Sequence, residues 1–218
     1  MFGKKAVVQP IVAQEIGEAG EAIRYKKVRR QEGLNNYFET QRSCWEEQRQ
    51  FDNPWLINHF ITLGSPLAHA QMLLAENKHD FKRRIIQKEL PINPPVRDKL
   101  GYAFLRKPIR VNDDFRFWPV QLHYAAPFAT TRWTNIYFPA KFGIFGDSIG
   151  GELSKVFGQG IKDVPVTVDS WRRYTLLAHN MYWYDRRKMA LKKSFFSRRT
   201  ERKHTYAMSA LREAIALH

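Results

Sequence analysis

Two residues of this sequence, Asp147 and His179, are of the types that together activate a nucleophile. An imidazole accepts a proton near neutral pH, and a carboxylate on its other ring nitrogen fixes the tautomer and stabilises the imidazolium that forms. Asp147 lies in the glycine-rich stretch 141–151, in which glycines allow a loop to aim a carboxylate. His179 precedes Tyr182 and Trp183, and we expect these aromatic side chains to shield its ring partly from water. The residue types therefore predict an acid–base pair.

Each of the two residues also has an ordinary structural explanation. An aspartate among glycines is commonly a turn former, because its side chain bonds to the backbone two residues further on. A histidine beside aromatic residues is commonly a hydrogen-bonded part of a core. On residue types alone, both explanations stay open.

The segments around the pair have the patterns of helices and strands in alternation. Residues 34–50 show the apolar spacing of an amphipathic helix. Residues 55–63 are rich in large apolar and β-branched side chains, as in a buried strand. The turn Gly64-Ser65-Pro66 then predicts a helix that continues to Leu74, with Ser65 as its N-cap.

The second half of the sequence continues this pattern. Residues 132–138 predict a strand that leads into the glycine-rich stretch, and residues 163–168 predict a further strand. A short helix starts after the glycines at residues 152–158. Residues 205–217 predict a closing amphipathic helix, with inward side chains at Met208, Leu211, Ala214 and Ile215.

Two regions look irregular. Residues 1–30 combine β-branched residues with Gly17 and Gly20, which predicts an irregular or strand-forming arm. Residues 88–120 contain five prolines, too many for regular structure, and predict an extended excursion or cap with short strands at 102–105 and 109–111. We therefore divide the chain into an arm with an amphipathic helix, 1–50, and one domain, 51–218.

Two features together resemble the C-terminal half of a lipase- or esterase-like α/β-hydrolase. Residues 60–67, FITLGSPL, resemble the strand that follows the nucleophile helix in that fold. The order of a strand, Asp147 and then His179 follows the family's order of acid and base. The resemblance covers residues 50–218 and implies an α/β class with a partial, mainly parallel sheet flanked by helices. It also implies that Asp147 and His179 belong to a catalytic triad.

The family's nucleophile elbow, G-x-S-x-G, is missing from its expected place. Residues 1–59 contain one serine, Ser43, which has no glycine neighbours. The same letters occur at 146–150, so an alternative makes Ser148 the nucleophile, His179 the base and Asp163 or Asp169 the acid. That stretch has a poor lead-in strand and lies close to His179 in sequence. We therefore expect a truncated or degenerate ester-hydrolase module, inactive as an isolated chain, with a Ser148 esterase as the alternative.

The net charge of +15 favours a third class of function, a non-enzymatic protein that binds polyanions. Residues 186–203 hold nine basic residues and one acid, interrupted by Phe195 and Phe196. This pattern suits an anionic membrane surface and, less well, single-stranded nucleic acid. A solvated insertion before the last helix explains it equally well.

Several further classes are excluded or disfavoured by composition. No run of about 18 apolar residues occurs, and the N-terminus lacks the apolar core of a secretory signal. The single cysteine, Cys44, fits a reducing compartment, which predicts a cytoplasmic protein, with a peripheral membrane location as a variant. The histidine spacings predict no metal site, and we expect no cofactor. A partial sheet exposes an edge, so we expect self-association or binding of a missing N-terminal half.

Overall fold

The protein has a mixed α/β structure with a three-stranded parallel sheet that is flanked by helices. The computed structural model describes residues 10–25, 29–50, 52, 54–105, 108–110, 112, 116–139, 147, 149–167, 176–183 and 206–215. Its α-helices are α1 (Pro10–Arg24), α2 (Arg30–Gln50), α3 (Ala70–Leu73), α4 (Lys78–Ile86), α5 (Ser154–Phe157) and α6 (Ala207–Ile215). The strands are β1 (His59–Leu63), β2 (Ala103–Leu105), β3 (Ile109–Arg110), β4 (Arg116–Phe117), β5 (Val120–Leu122), β6 (Arg132–Tyr137) and β7 (Ile161–Pro165).

The parallel sheet has the strand order β1–β6–β7, with β6 in the centre. A central strand is covered on both faces, and five of the six β6 residues are buried. The residues that follow the strands continue the ladder, since the Gly64 N–H donates to the Ile136 carbonyl over 2.9 Å and the Val166 N–H to the Tyr137 carbonyl over 2.9 Å. Parallel strands end at one edge of a sheet, which is where α/β proteins build their sites.

Most of the elements predicted after residue 30 are present. The predicted helix at 34–50 is α2, and the three predicted sheet strands are β1, β6 and β7. Ser65 caps the helical turn that follows β1, because its side chain accepts a hydrogen bond from the Leu67 N–H over 3.3 Å. The chain there forms a 3₁₀ turn, Pro66–His69, before α3 begins. These expectations and the α/β class are confirmed.

Two predictions about the helices are wrong. The first described residues form α1, whereas the sequence pattern predicted an irregular or strand-forming arm. Its buried residues Ile16, Ala19 and Ile23 recur at helical spacing, which the β-branched residues before them obscured. In α6, the predicted inward residue Leu211 packs against the core beside the buried Ala207 and Ala210. The prediction is wrong for Ile215, which is 54% exposed. The helix α4, which Asn77 caps, was not predicted at all.

The chain divides into two compact units, each built from separate segments. The first comprises residues 1–60, 74–133 and 157–161. Its core packs α1 against α2. Two polar side chains of α2 also bond to residues that are distant in sequence. The Tyr37 hydroxyl lies 2.9 Å from Asn93 Oδ1, and the Gln41 amide donates to the Phe128 carbonyl over 2.7 Å.

The proline-rich region of the first unit contains short paired strands. The strand β2 pairs antiparallel with β5, and β3 pairs antiparallel with β4. The predicted strands at 102–105 and 109–111 correspond to β2 and β3. The assignment of residues 88–120 as a cap stays a prediction.

The second unit comprises residues 61–73, 134–156 and 162–218, and it contains the predicted acid and base. Its apolar core includes Ile136 and Phe138 at the end of β6, Tyr182, and Ala207 and Ala210 of α6. An isolated parallel bridge joins Thr167 to Tyr206, immediately before α6. In the described part of the chain, no helix has the length and apolar character that a membrane span requires.

Candidate active site

Asp147 lies beyond the end of β6, and its side chain is completely buried. A buried carboxylate must be hydrogen-bonded to remain in the fold. One oxygen, Oδ1, accepts from the Ile149 N–H over 2.9 Å, and the other, Oδ2, accepts from the Tyr182 hydroxyl over 2.8 Å. His179 Nδ1 lies 3.3 Å from Oδ1 and 3.2 Å from Oδ2. The carboxylate therefore holds a turn, a tyrosine and an imidazole together.

His179 is carried by a 3₁₀ helix, Leu176–Trp183, that follows β7 in sequence. Because a 3₁₀ helix has three residues per turn, residues i and i+3 lie on the same side. His179 and Tyr182 are such a pair, and both reach Asp147. Their rings meet edge to face with centroids 5.8 Å apart. The side chain of His179 is 36% exposed, so the ring is anchored at one nitrogen and still open to solvent.

Tyr182 is buried, and its ring packs on Phe138 with a centroid separation of 4.6 Å. The Phe138 N–H donates to the Tyr182 hydroxyl oxygen over 3.0 Å. Burial is the main cause that raises the pKa of Tyr182 well above its ordinary value, and the hydrogen bond to Asp147 and the charge of that residue raise it further. The hydroxyl is therefore protonated at neutral pH and donates to the carboxylate.

Two glycines make this close arrangement possible. Gly64, directly after β1, has a φ of +55°, in the left-handed region that glycine tolerates best. A β-carbon there would lie 2.9 Å from Tyr182 Cζ and 3.0 Å from His179 Cε1. At Gly150, a β-carbon would lie 2.7 Å from Asp147 Oδ2 and 3.1 Å from the Tyr182 hydroxyl oxygen. Both positions need a residue without a side chain.

Asp163, one of the acids considered with Ser148, has a different set of partners. Its carboxylate accepts from the Asn135 side-chain amide over 2.7 Å and from the backbone N–H groups of Leu153 and Ser154, each over 3.0 Å. The two backbone donors belong to the start of α5, where N–H groups need acceptors from outside the helix. Asp163 therefore connects β6, β7 and α5, whereas the carboxylate that meets His179 is that of Asp147.

The Asp147–His179 contact determines which nitrogen of the imidazole can act as a base. An ionised carboxylate only accepts hydrogen bonds, so Nδ1 must carry the proton that lies between them. The lone pair of the neutral ring is then on Nε2. Within the described residues, Asp147 is the one hydrogen-bond partner recorded for the His179 ring. An imidazole with this tautomer can remove a proton from a hydroxyl group that is brought to Nε2.

The structure thus brings together the two predicted residues that are 32 positions apart in sequence. Their catalytic role stays a prediction. Ser148, Asp169 and the basic stretch 186–203 lie outside the described residues. Among the residues that the structure describes, no group of three His, Cys, Asp or Glu side chains is placed to hold a metal ion.

Sequence reasoning missed the role of Tyr182 and of Gly64. Tyr182 was noted only as an aromatic neighbour of His179, and Gly64 only as part of a turn. The spacing His179-x-x-Tyr182 is the signal that could have identified the tyrosine, but it has this meaning only in a 3₁₀ helix. Gly64 carries no signal of its own in the sequence.

Comparisons with known proteins identify no relative of this chain. No family model matches the sequence, and no similar protein is found among curated proteins or among solved structures.

Proposed function

We propose that residues 51–218 form the acid–base part of a lipase- or esterase-like α/β-hydrolase, and that another polypeptide segment supplies the nucleophile. The observation that carries the proposal is the contact between His179 Nδ1 and the buried Asp147 carboxylate. The contact lies beyond the carboxyl ends of neighbouring parallel strands, β6 and β7. The sequence order of strand, acid and histidine is that of the fold.

In this function each of the two residues has a defined task. His179 Nε2 takes the proton from a serine hydroxyl as the oxygen attacks the carbonyl carbon of an acyl ester. The buried Asp147 carboxylate stabilises the imidazolium that results. His179 then gives the proton to the departing alcohol, and a water molecule repeats the sequence to release the acid. The isolated chain has the base and its carboxylate but no convincing nucleophile, so we expect it to be inactive alone.

The position of β1 supports the addition of a further segment. In the described sheet β1 is an edge strand, and edge strands pair readily with other strands. Phe60 in β1 is 40% exposed, and Leu56 and Ile57 just before it are 67% and 50% exposed. An added strand would cover apolar surface that is unusual at an exposed edge.

An activity-based probe tests the proposal directly. Tagged chain is expressed in its own cells, treated with a fluorophosphonate probe that labels activated serines, and purified under native conditions. We expect a labelled serine on a polypeptide that is bound to this chain. Labelling should disappear with His179→Ala and with Asp147→Asn, while the complex itself is still recovered.

The same experiment separates the alternatives. Absence of any labelled serine, on this chain or on a bound polypeptide, contradicts the proposal. Labelling of the chain itself that vanishes in Ser148→Ala replaces it with the Ser148 esterase. Labelling that is unchanged in both the His179 and the Asp147 variants shows that this pair is not the base.

The charge of +15 favours a second candidate function, binding to an anionic membrane surface. Counterion release and attraction to anionic lipids both make such binding depend steeply on salt. The test is co-sedimentation with vesicles of neutral lipid and with vesicles of which about a third of the lipid is anionic. We expect binding to the anionic vesicles alone, lost when Arg186, Arg187 and Lys188 are changed to Gln. Equal binding to neutral vesicles or no binding at all contradicts this function, and preferential binding to RNA replaces it.

A further inference from the structure

We infer that Tyr182 is a positioning residue, which orients the Asp147 carboxylate and thereby selects the tautomer of His179. This inference rests on the proposed function, because it assigns Tyr182 a task within the same acid–base pair. The contacts that carry it are the 2.8 Å hydrogen bond from the Tyr182 hydroxyl to Asp147 Oδ2 and the 3.0 Å hydrogen bond from the Phe138 N–H to the same hydroxyl.

The two hydrogen bonds determine where the hydroxyl proton points. A phenolic oxygen has one proton to donate and lone pairs that accept. The Phe138 amide, fixed at the end of β6, occupies an acceptor position of that oxygen. The proton is consequently directed at Asp147 Oδ2. A rigid backbone group thus orients the tyrosine, and the tyrosine orients the carboxylate.

The described hydrogen-bond partners of Asp147 show what Tyr182 contributes. Besides Tyr182 and His179, its hydrogen-bond donor among the described residues is the N–H of Ile149, which lies in the same loop. The Ile149 contact is local, since it joins residues two positions apart in sequence. Tyr182 instead connects the carboxylate to Phe138 and to the apolar core of the second unit. Without it, rotation of the carboxyl group would weaken its contact with Nδ1.

The structure offers a matched control for the tyrosine. Tyr137 is also buried, and its hydroxyl donates to a carboxylate oxygen of Glu152 over 3.2 Å. Glu152 is half-buried and is not a partner of His179. Removal of the Tyr137 hydroxyl therefore deletes a tyrosine–carboxylate hydrogen bond in the same unit without touching the acid–base pair.

The test follows the tautomer of His179 by NMR in the full chain labelled with ¹⁵N at histidine. Ring ¹⁵N shifts distinguish Nδ1–H from Nε2–H, and His179→Gln assigns the signals. In the unmodified protein we expect the Nδ1–H form to predominate in the neutral ring. Tyr182→Phe, which keeps the ring and its packing, should shift the population toward Nε2–H, the form that free imidazole prefers. Tyr137→Phe should leave it unchanged.

The variant Asp147→Asn makes the outcomes distinguishable. If it leaves the His179 tautomer unchanged, the pair itself is absent and the proposed function fails. If it alters the tautomer and Tyr182→Phe does not, the inference about Tyr182 alone is wrong. A tautomer change of equal size in Tyr137→Phe would also overturn the inference, since the effect would then be one of general packing.

A measurement on the unmodified protein covers the case in which Tyr182→Phe does not fold. The Tyr182 hydroxyl proton should appear as a separate, slowly exchanging resonance with a nuclear Overhauser effect to the Phe138 amide proton. A hydroxyl proton that exchanges freely with water contradicts the inference.

Discussion

Gly64 and Tyr182 are in such close contact that a methyl group on Gly64 would lie 2.9 Å from Tyr182 Cζ. Real β-carbons do not approach a ring carbon so closely, because repulsion rises steeply inside the van der Waals distance. Gly64 directly follows the sheet strand β1, and Tyr182 holds the carboxylate that contacts His179. The end of one strand therefore sets the position of the tyrosine.

This contact predicts a large effect of Gly64→Ala on stability. The left-handed backbone at Gly64 costs alanine about 1–2 kcal/mol, and overpacking adds roughly 1–3 kcal/mol. Gly101→Ala is the control, since Gly101 has a φ of +74° and a β-carbon there would meet nothing within 4 Å. Urea unfolding of both variants measures the difference. Equal losses of unfolding free energy would show that the tyrosine contact has no energetic effect.

The Asp147–His179 contact predicts a change in the reactivity of His179 when the acid is replaced. Diethyl pyrocarbonate modifies the unprotonated nitrogen of a neutral imidazole, and the contact places that lone pair on Nε2 of a ring that is 36% exposed. In Asp147→Asn we expect modification of His179 to slow by about tenfold, equivalent to about 1.4 kcal/mol.

Peptide mass spectrometry at several reaction times gives the rate for His179 in that experiment. The control is Asp163→Asn, which alters another carboxylate of the same unit, one that accepts from Asn135, Leu153 and Ser154. Faster or unchanged modification of His179 in Asp147→Asn would contradict the assigned tautomer.

The buried tyrosine predicts a loss of stability at alkaline pH. Burial raises the pKa of Tyr182 above the ordinary value of 10.0, so the folded state favours the protonated phenol. Below pH 10 this contribution is complete, and it is lost as the pH rises through 10 because the unfolded chain releases the proton first. The unfolding free energy should fall by up to about 1.4 kcal/mol per pH unit for this residue.

Urea titrations between pH 9 and about 11 check this slope. In Tyr182→Phe the unfolding free energy should fall less steeply with pH, because one titrating group has been removed. Burial also raises the pKa of Tyr37, so this residue should contribute to the same pH dependence. Tyr37→Phe measures its contribution. An identical slope in Tyr182→Phe and in the unmodified protein would show that the phenol is exposed to solvent.

Cys44 should be inert in the folded protein. The thiol is 5% exposed, and burial raises its pKa to about 11 from an ordinary value of 9.0. Because the thiolate is the reactive form, two pKa units lower its population about a hundredfold near pH 8. We expect reaction with Ellman's reagent at pH 8 to be at least about a hundredfold slower in buffer than in denaturant. Comparable rates would place Cys44 on an accessible surface.

The sheet strands could be predicted because their signal is local. In β6, residues of high strand propensity stand together, and five of six are buried. The helix α1 could not be predicted, because its glycines suggested an interruption of regular structure. Gly20 instead allows close packing, since a β-carbon there would lie 2.9 Å from Pro94 Cβ. A contact with a residue so distant in sequence has no local signal.

The candidate site could be predicted only in part, for a similar reason. Asp147 and His179 were found through the order of acid and histidine along the chain. The distance between them depends on how the ends of β6 and β7 and the 3₁₀ helix meet. The roles of Tyr182 and Gly64 depend on the same geometry, and neither residue belongs to the pattern that identified the pair.

The 3₁₀ helix that carries His179 and Tyr182 makes the spacing of these residues a constraint on evolution. One residue inserted or deleted between them would rotate one side chain by about 120° relative to the other. Both could then no longer face Asp147 at once. Substitutions elsewhere in the helix leave the two side chains on the same side, whereas an insertion or deletion between them does not. Descendants of this chain that keep the pair should therefore tolerate many point changes in the segment but no change in the number of residues between His179 and Tyr182.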